Sequence, residues 1–131
     1  MRILIVEDEL VARFLLTKIL SDYGLCNIAV DGKEAVDAVK LALENNEPYD
    51  LICLDIMMPI MDGQDALKAI RSLENNYEIH RDKQSKIVMI TALDDYDNIS
   101  TSYWEFCDAY LVKPIEKKKL ITVLKDLKLS V

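Results

Sequence analysis

The stretch Leu51-Ile52-Cys53-Leu54-Asp55 is a run of four apolar residues that ends on a carboxylate. Three similar runs occur elsewhere: Ile3-Leu4-Ile5-Val6 before Glu7-Asp8, Ile87-Val88-Met89-Ile90 before Thr91, and Tyr110-Leu111-Val112 before Lys113-Pro114. Short apolar runs separated by helix-like segments predict buried parallel strands. Ligands bind at the carboxyl ends of such strands. We therefore expect these acids, the hydroxyl and the ammonium group to converge on one edge of a sheet.

Helical spacing of apolar residues between these runs predicts strict alternation of strand and helix. The predicted helices cover residues 10 to about 23, 31 to about 46, a third segment around Ala66–Leu73, and 116–129, and a further strand covers residues 25–30. In the first helix, Val11, Phe14, Leu15 and Ile19 carry the helical spacing. Alternation with short connections predicts an α/β fold with helices on both faces of a parallel sheet.

Two polar segments, residues 94–106 and 74–86, interrupt this regular pattern. Residues 94–106 are rich in Asp, Ser, Asn and Thr, which weaken helices, and we predict a short, marginal fourth helix there. Residues 74–86 are somewhat long for a connection, and we predict a helix tail followed by an exposed loop.

Length and composition predict one domain over residues 1–131, with no output domain visible. Of the 131 residues, 51% are hydrophobic, so a real core is expected. The net charge of −7 disfavours binding to nucleic acid or to an anionic membrane surface. No apolar stretch approaches the roughly 20 residues of a membrane span, and no signal-peptide pattern is present. We therefore expect a cytoplasmic protein, in which three dispersed cysteines are buried small hydrophobes.

Asp55 is the candidate catalytic residue, because a carboxylate at a strand end can attack phosphorus and form an acyl phosphate. The attack of an anion on an anionic donor requires a cation. Glu7 and Asp8 offer the oxygen ligands that Mg²⁺ prefers, and the main-chain carbonyl of Met57 could complete its coordination shell. The pattern therefore indicates metal-assisted phosphoryl transfer to the chain itself.

Thr91 and Lys113 are the candidate residues that respond to the phosphoryl group. A hydrogen bond to a charged group contributes about 1.5–3 kcal/mol, and inverting a 1:99 equilibrium takes about 5.5 kcal/mol. The two residues together could therefore supply most of the free energy of a conformational switch. Taken singly, each site residue has an ordinary structural explanation, and only their combination supports the hypothesis.

These residues resemble the receiver domain of bacterial two-component response regulators, the CheY-like family, over essentially the whole chain. The resemblance lies in Ile3-Leu4-Ile5-Val6-Glu7-Asp8, Leu54-Asp55-Ile56-Met57-Met58-Pro59 with Met61-Asp62-Gly63, Thr91-Ala92, and Tyr110-Leu111-Val112-Lys113-Pro114. It implies a flavodoxin-like five-stranded parallel sheet of order 2-1-3-4-5 with five helices on two faces.

The resemblance also implies a function and the roles of individual residues. Asp55 would accept a phosphoryl group from a sensor histidine kinase or a histidine phosphotransfer protein. Mg²⁺, or Mn²⁺ in its place, would be held by Asp8, Asp55 and the Met57 carbonyl, with Glu7 often acting through water. Thr91 and Tyr110 would be the switch residues, and Lys113-Pro114 would be a cis peptide. Glu7 departs from the pattern, since many relatives have Asp there.

The output face implied by the resemblance comprises the fourth helix, the fifth strand and the fifth helix. It would control an unknown output protein, as a monomer or a phosphorylation-dependent homodimer. In this chain the face carries Tyr110 and the run Lys117-Lys118-Lys119. That run is either a solvated surface, a docking patch for an acidic partner, or a dimer contact.

Two alternatives from other functional classes remain. A haloacid-dehalogenase-like phosphohydrolase uses a nucleophilic Asp, Mg²⁺, Thr and Lys, but it places Asp-x-Asp after its first strand, where this chain has Glu7-Asp8-Glu9. A pseudo-receiver would bind partners without phosphorylation, against which the intact set of site residues argues. We predict a switch that catalyses only its own phosphorylation and dephosphorylation, and no enzyme acting on an external substrate.

Overall fold

The computed structural model describes residues 1–58, 60–92 and 105–131. It contains a five-stranded sheet of β1 (Arg2–Val6), β2 (Leu25–Ala29), β3 (Leu51–Asp55), β4 (Lys86–Thr91) and β5 (Ala109–Val112). All neighbouring strands are parallel, and their order is β2-β1-β3-β4-β5. The predicted strand order of a flavodoxin-like fold is therefore confirmed.

Four α-helices occur among the described residues: α1 (Leu10–Leu20), α2 (Gly32–Glu44), α3 (Gly63–Asn76) and the C-terminal helix α4 (Lys117–Asp126). The aspartates before α2 and α3 cap these helices. Asp31 accepts a hydrogen bond from the Glu34 N–H, and Asp62 accepts one from the Asp65 N–H. The sequence predicted five helices, and the predicted fourth helix at 94–106 lies outside the described residues apart from its last two.

The strands separate two hydrophobic cores, because successive side chains of a strand point to opposite faces of the sheet. Leu4 and Leu54 belong to the core on one side, which includes buried residues of α2 and α3. Ile3 and Cys53 belong to the other core, which includes buried residues of α1 and α4. Burial on both faces explains why these strands read as continuous apolar runs.

The apolar spacing of α1 does not mark its buried face. Among the four residues that carry this spacing only Ile19 is buried, while Val11 and Phe14 are 70% and 68% exposed. The helix instead packs on the sheet through Leu16, Ile19 and Leu20. Because α1 is apolar on more than one side, its periodicity could not select the buried face.

Arg71 and Glu74 of α3 form an ion-pair network with Asp108 that the sequence did not predict. Arg71 donates from Nη1 to Glu74 Oε1 at 2.8 Å and to the Ser85 carbonyl at 2.9 Å, and from Nη2 to Asp108 Oδ2 at 2.9 Å. Glu74 is only 2% exposed, and its Oε2 accepts from the Ser85 N–H at 2.7 Å. The network ties α3 to the amino ends of β4 and β5.

Candidate phosphoacceptor site

The predicted site residues lie at the carboxyl edge of the sheet because each ends or follows a parallel strand. Asp55 is the last residue of β3 and Thr91 the last of β4, while Glu7 follows β1. Lys113 follows β5, and its N–H donates to the Thr91 carbonyl at 2.8 Å. Residues far apart in the chain therefore meet at one edge.

Three carboxylates form the acidic part of the site. Glu7 is fully buried, Asp55 is 3% exposed, and Asp8 is exposed. Each offers an oxygen atom, and these atoms lie within 4.8 Å of one another. The second carboxylate oxygen of Glu7, Oε2, is buried without a hydrogen-bond partner. Buried charged oxygens are normally satisfied, so an oxygen-rich pocket with an unsatisfied carboxylate is suited to a divalent cation such as Mg²⁺.

Among the described residues, Lys113 is the cation that forms ion pairs with Glu7 and Asp55. Its Nζ lies 3.3 Å from Glu7 Oε1 and 3.4 Å from Asp55 Oδ2. Burial by itself would lower the pKa of Lys113, but the charges of Asp55 and Glu7 raise it above the ordinary value. The ammonium group therefore stays protonated and partly balances the two carboxylates.

The surroundings of the Asp55 carboxyl raise its pKa. Burial and then the neighbouring charge of Glu7 raise the pKa of Asp55 to about 7, against the opposing charge of Lys113. One of its oxygens, Oδ1, accepts from the Met57 N–H at 3.4 Å. Two buried carboxylates beside one ammonium leave a local excess of negative charge, which a bound cation would relieve.

The two predicted switch residues differ in burial and in their described contacts. Thr91 is buried, and its hydroxyl donates to the carbonyl of Ala92 at 3.0 Å. Tyr110 is 45% exposed. The peptide bond between Lys113 and Pro114 is cis. The structure therefore brings Glu7, Asp8, Asp55 and Lys113 together, while the Thr91 hydroxyl donates to the carbonyl of the next residue, Ala92.

Two residues to which the sequence motifs assigned no role, Glu9 and Gly63, support the site. Glu9 caps α1 by accepting from the N–H groups of Val11 and Ala12, and its own N–H donates to Glu7 Oε1 at 3.2 Å. Gly63 begins α3 so close to β3 that an added Cβ would lie 2.2 Å from the Asp55 carbonyl oxygen. The pair Asp62-Gly63 in the sequence was the available signal for this close approach.

Known proteins are similar to this chain in both sequence and structure. Residues 3–125 match the family model described as "Response regulator receiver domain". The chain is 31% identical over 122 residues to the chemotaxis protein CheY of Treponema pallidum, covering 92% of this chain and 77% of that protein. It is 36% identical to the osmosensing histidine protein kinase SLN1 of Saccharomyces cerevisiae, covering 95% of this chain and 10% of the kinase.

A solved structure has the same fold and a relevant ligand. The receiver domain of the histidine kinase CKI1 from Arabidopsis thaliana, complexed with Mg²⁺ and BeF₃⁻, has a TM-score of 0.76 and 27% identity. The alignment covers 97% of this chain and 89% of that one.

The fold, the carboxyl-edge site and these similarities define a phosphoryl-accepting signalling module. The chain belongs to the response regulator receiver domain family. It spans 10–12% of the length of the first curated histidine kinases that it matches. Among the described residues, no helix is long and apolar enough to cross a membrane.

Proposed function

We propose that Asp55 of this receiver domain accepts a phosphoryl group from a sensor histidine kinase or a histidine phosphotransfer protein. The observation that supports this most directly is the buried pair of Glu7 and Asp55, which share Lys113 and leave Glu7 Oε2 without a partner. Such an arrangement costs stability in the resting protein. It becomes favourable once a cation and a phosphoryl group are present.

In the transfer step an ionised Asp55 oxygen attacks the phosphorus of the donor. The new O–P bond forms as the bond from phosphorus to the donor's nitrogen or oxygen breaks, and the leaving group keeps that electron pair. Lys113 lies beside both Asp55 and Glu7, so it can stabilise negative charge on the phosphoryl oxygens without first moving into the pocket. Asp55 is only 3% exposed, which would limit competing water.

The residues that would hold Mg²⁺ are Glu7, Asp8, Asp55 and the main-chain carbonyl of Met57. The bound ion supplies positive charge to the phosphoryl oxygens during transfer. Mn²⁺ would serve in its place, since it also accepts carboxylate, carbonyl and water ligands.

The switch would begin at Thr91. Its hydroxyl now donates to Ala92, and rotation about its side chain would let it donate to a phosphoryl oxygen, a charge-assisted hydrogen bond stronger than the one it replaces. Tyr110, which is partly exposed, would then turn inward. These changes would alter the output face that the family resemblance implies, of which β5 and α4 are the described elements, and so control a partner protein.

The proposal also covers the domain organisation, location, oligomeric state and catalytic activity of the chain. Residues 1–131 would act as a single receiver domain in the cytoplasm, as a monomer or a phosphorylation-dependent homodimer, without turnover of an external substrate. No direct contact with nucleic acid or membrane is proposed. Neither the phosphohydrolase nor the pseudo-receiver is favoured, because Glu7-Asp8-Glu9 follows β1 and the acidic cluster with its lysine is intact.

The test is intact-mass measurement after incubation with acetyl phosphate and Mg²⁺. A gain of one phosphoryl group, lost in Asp55→Asn and in excess chelator, would support the proposal. No adduct under any condition would favour a pseudo-receiver. Steady phosphate release without a lasting adduct would instead indicate a phosphohydrolase.

A further inference from the structure

The amino end of α2 reaches the loop that follows β3. The side chain of Asp31 caps this helix, which fixes its first residue at Gly32. Gly32 is buried, and its N–H donates to the Met61 carbonyl at 3.1 Å. Met61 belongs to the β3–α3 loop, of which residues 56–58 and 60–62 are described. A helix that supplies none of the three clustered carboxylates therefore contacts the loop that follows the phosphoacceptor.

The packing at Gly32 leaves no room for a side chain. A Cβ atom added there would lie 2.3 Å from the Met61 carbonyl oxygen and 2.9 Å from its carbonyl carbon. Both are main-chain atoms, so the overlap could be relieved only if the loop or the helix moved. None of the three glycines of the chain has a positive φ, so alanine at this position would keep an allowed backbone conformation. Glycine is therefore required by the short distance between α2 and the loop.

The β3–α3 loop is also held at its base. The N–H of Gly63, the first residue of α3, donates to the Ile56 carbonyl at 2.8 Å. The N–H of Ile56 in turn donates to the Ile90 carbonyl of β4 at 3.1 Å. Main-chain hydrogen bonds therefore fix the loop to the sheet at its base and, through Met61, to α2.

Ile60 shows that these attachments impose the conformation of the loop. Its φ is 69°, in the left-handed region, which is strained for a β-branched residue. A strained conformation persists only where the surrounding structure enforces it. The Ile60 side chain is 82% exposed, so its own packing cannot supply that constraint. The constraint comes from the neighbouring main chain, where Met61 accepts the hydrogen bond from Gly32.

We propose that Gly32 is a positioning residue for the metal site, on which it acts through the β3–α3 loop. Gly32 holds the Met61 carbonyl and so keeps the loop in the conformation in which the Met57 carbonyl can complete the ligand set. Mg²⁺ requires near-ideal octahedral geometry, so displacement of one ligand weakens its binding. The inference rests on the proposed function in one respect, since it takes the Met57 carbonyl to be a ligand of the ion.

The test compares Gly32→Ala with Gly24→Ala in the full chain. Gly24 is the matched control, because a Cβ there would lie 2.1 Å from the Met1 carbonyl oxygen, a main-chain overlap of the same kind. It precedes β2 at the amino edge of the sheet, away from the acidic cluster. Isothermal titration calorimetry would measure the dissociation constant of Mg²⁺ at a temperature at which both variants are folded. NMR in chelator would follow the signal of the Met57 N–H, which donates to Asp55 Oδ1.

Gly32→Ala is expected to weaken Mg²⁺ binding at least about tenfold, the loss typical when a group that orients a metal ligand is changed. It should also shift the Met57 N–H signal in chelator, while Gly24→Ala should change neither quantity. Wild-type affinity in Gly32→Ala would overturn the proposal, as would an equal loss in Gly24→Ala, which would indicate a general loosening of the fold. Absence of Mg²⁺ binding in the wild type would refute the proposed metal site, whereas an unchanged Met57 signal in Gly32→Ala would overturn only the positioning role.

The wild-type protein tests the same proposal even if Gly32→Ala does not fold. Coupling is reciprocal, so if the hydrogen bond from Gly32 to Met61 favours Mg²⁺ binding, then Mg²⁺ must strengthen that bond. Mg²⁺ is therefore expected to slow hydrogen exchange of the Gly32 N–H at least about fivefold more than that of the Leu25 N–H. The Leu25 N–H is the control, because it donates to the Met1 carbonyl at 2.9 Å at the opposite edge of the sheet. Equal slowing at both positions would overturn the proposal.

Discussion

Two charged clusters, each with at least one buried carboxylate, lie at opposite edges of the same sheet, and they differ in how completely their charges are satisfied. The Arg71 cluster comprises Arg71, Glu74 and Asp108, and both Glu74 oxygens accept hydrogen bonds. The carboxyl-edge cluster comprises Glu7, Asp55 and Lys113, and there one oxygen of Glu7 has no partner. The charges of the Arg71 cluster join α3 to the amino ends of β4 and β5. In the carboxyl-edge cluster, the unpaired oxygen of Glu7 is suited to bind a ligand.

The difference follows from the partners that each edge provides. At the amino edge, the N–H of Ser85 donates to Glu74 and the N–H of Ile87 donates to Asp108, so backbone donors complete the network. At the carboxyl edge, Asp55 receives one long backbone hydrogen bond from Met57. Buried charge is therefore stabilising at one edge and destabilising at the other, and changes of sequence should have opposite effects on folding.

The largest expected effect is from Arg71→Ala, which removes the cation of the Arg71 cluster. Glu74 would remain buried beside no positive charge, and removal of one partner from a buried pair costs about 3–5 kcal/mol. The free energy of unfolding, measured by urea denaturation, should fall by that amount. Lys68→Ala, an exposed change on the same helix, is the control. A loss below about 1 kcal/mol in Arg71→Ala would mean that the two clusters do not differ as described.

Asp55→Asn should change stability in the opposite direction. We expect it to raise the free energy of unfolding by about 2 kcal/mol at pH 8 in the presence of a chelator. The folded-state pKa of Asp55 is raised to about 7, so the unfolded chain ionises this carboxyl at lower pH than the folded protein. The wild type therefore loses stability as pH rises from about 4 to 7, and the gain from the substitution should grow over that range and then level off. Urea denaturation across this pH range would measure it. An equal gain at pH 4 and pH 8 would contradict the cause assigned to it.

Mg²⁺ should stabilise the wild type by about 1–3 kcal/mol at saturating concentration, because it binds the folded site and not the unfolded chain. Glu7→Gln and Asp55→Asn should each reduce this gain, while Arg71→Lys should not, since it lies at the other edge. Thermal unfolding with and without the metal would measure the difference. Equal stabilisation of all variants would indicate metal binding elsewhere on this acidic chain.

The smallest expected effect is from Glu7→Gln on the titration of Asp55. The charge of Glu7 is the second largest cause that raises the pKa of Asp55, so its removal should lower that pKa below about 7 without restoring the ordinary value, since burial remains. Carboxyl chemical shifts followed by NMR in chelator would measure the change. An unchanged or higher pKa would mean that burial alone is responsible.

The residues of the candidate site could be predicted from the sequence because their positions depend on topology alone. Asp55, Thr91 and Lys113 each end an apolar run, and parallel strands bring their carboxyl ends to one edge. The order of the strands followed from the family resemblance. The unpaired carboxylate oxygen of Glu7 could not be predicted, because it depends on the distances among Glu7, Asp55 and Lys113 after folding.

The sequence by itself determined the alternation of strands and helices from β1 to β4, the two-faced core and the edge at which the chemistry is located. Each of these depends on local periodicity and on the geometry of parallel strands. Only the tertiary structure decided which side of α1 is buried, because Leu16 and Phe14 are both apolar and packing against the sheet selects between them. It also decided that Arg71 joins Asp108 across 37 positions of the chain. Contacts over such separations depend on how whole elements pack, and no local pattern encodes them.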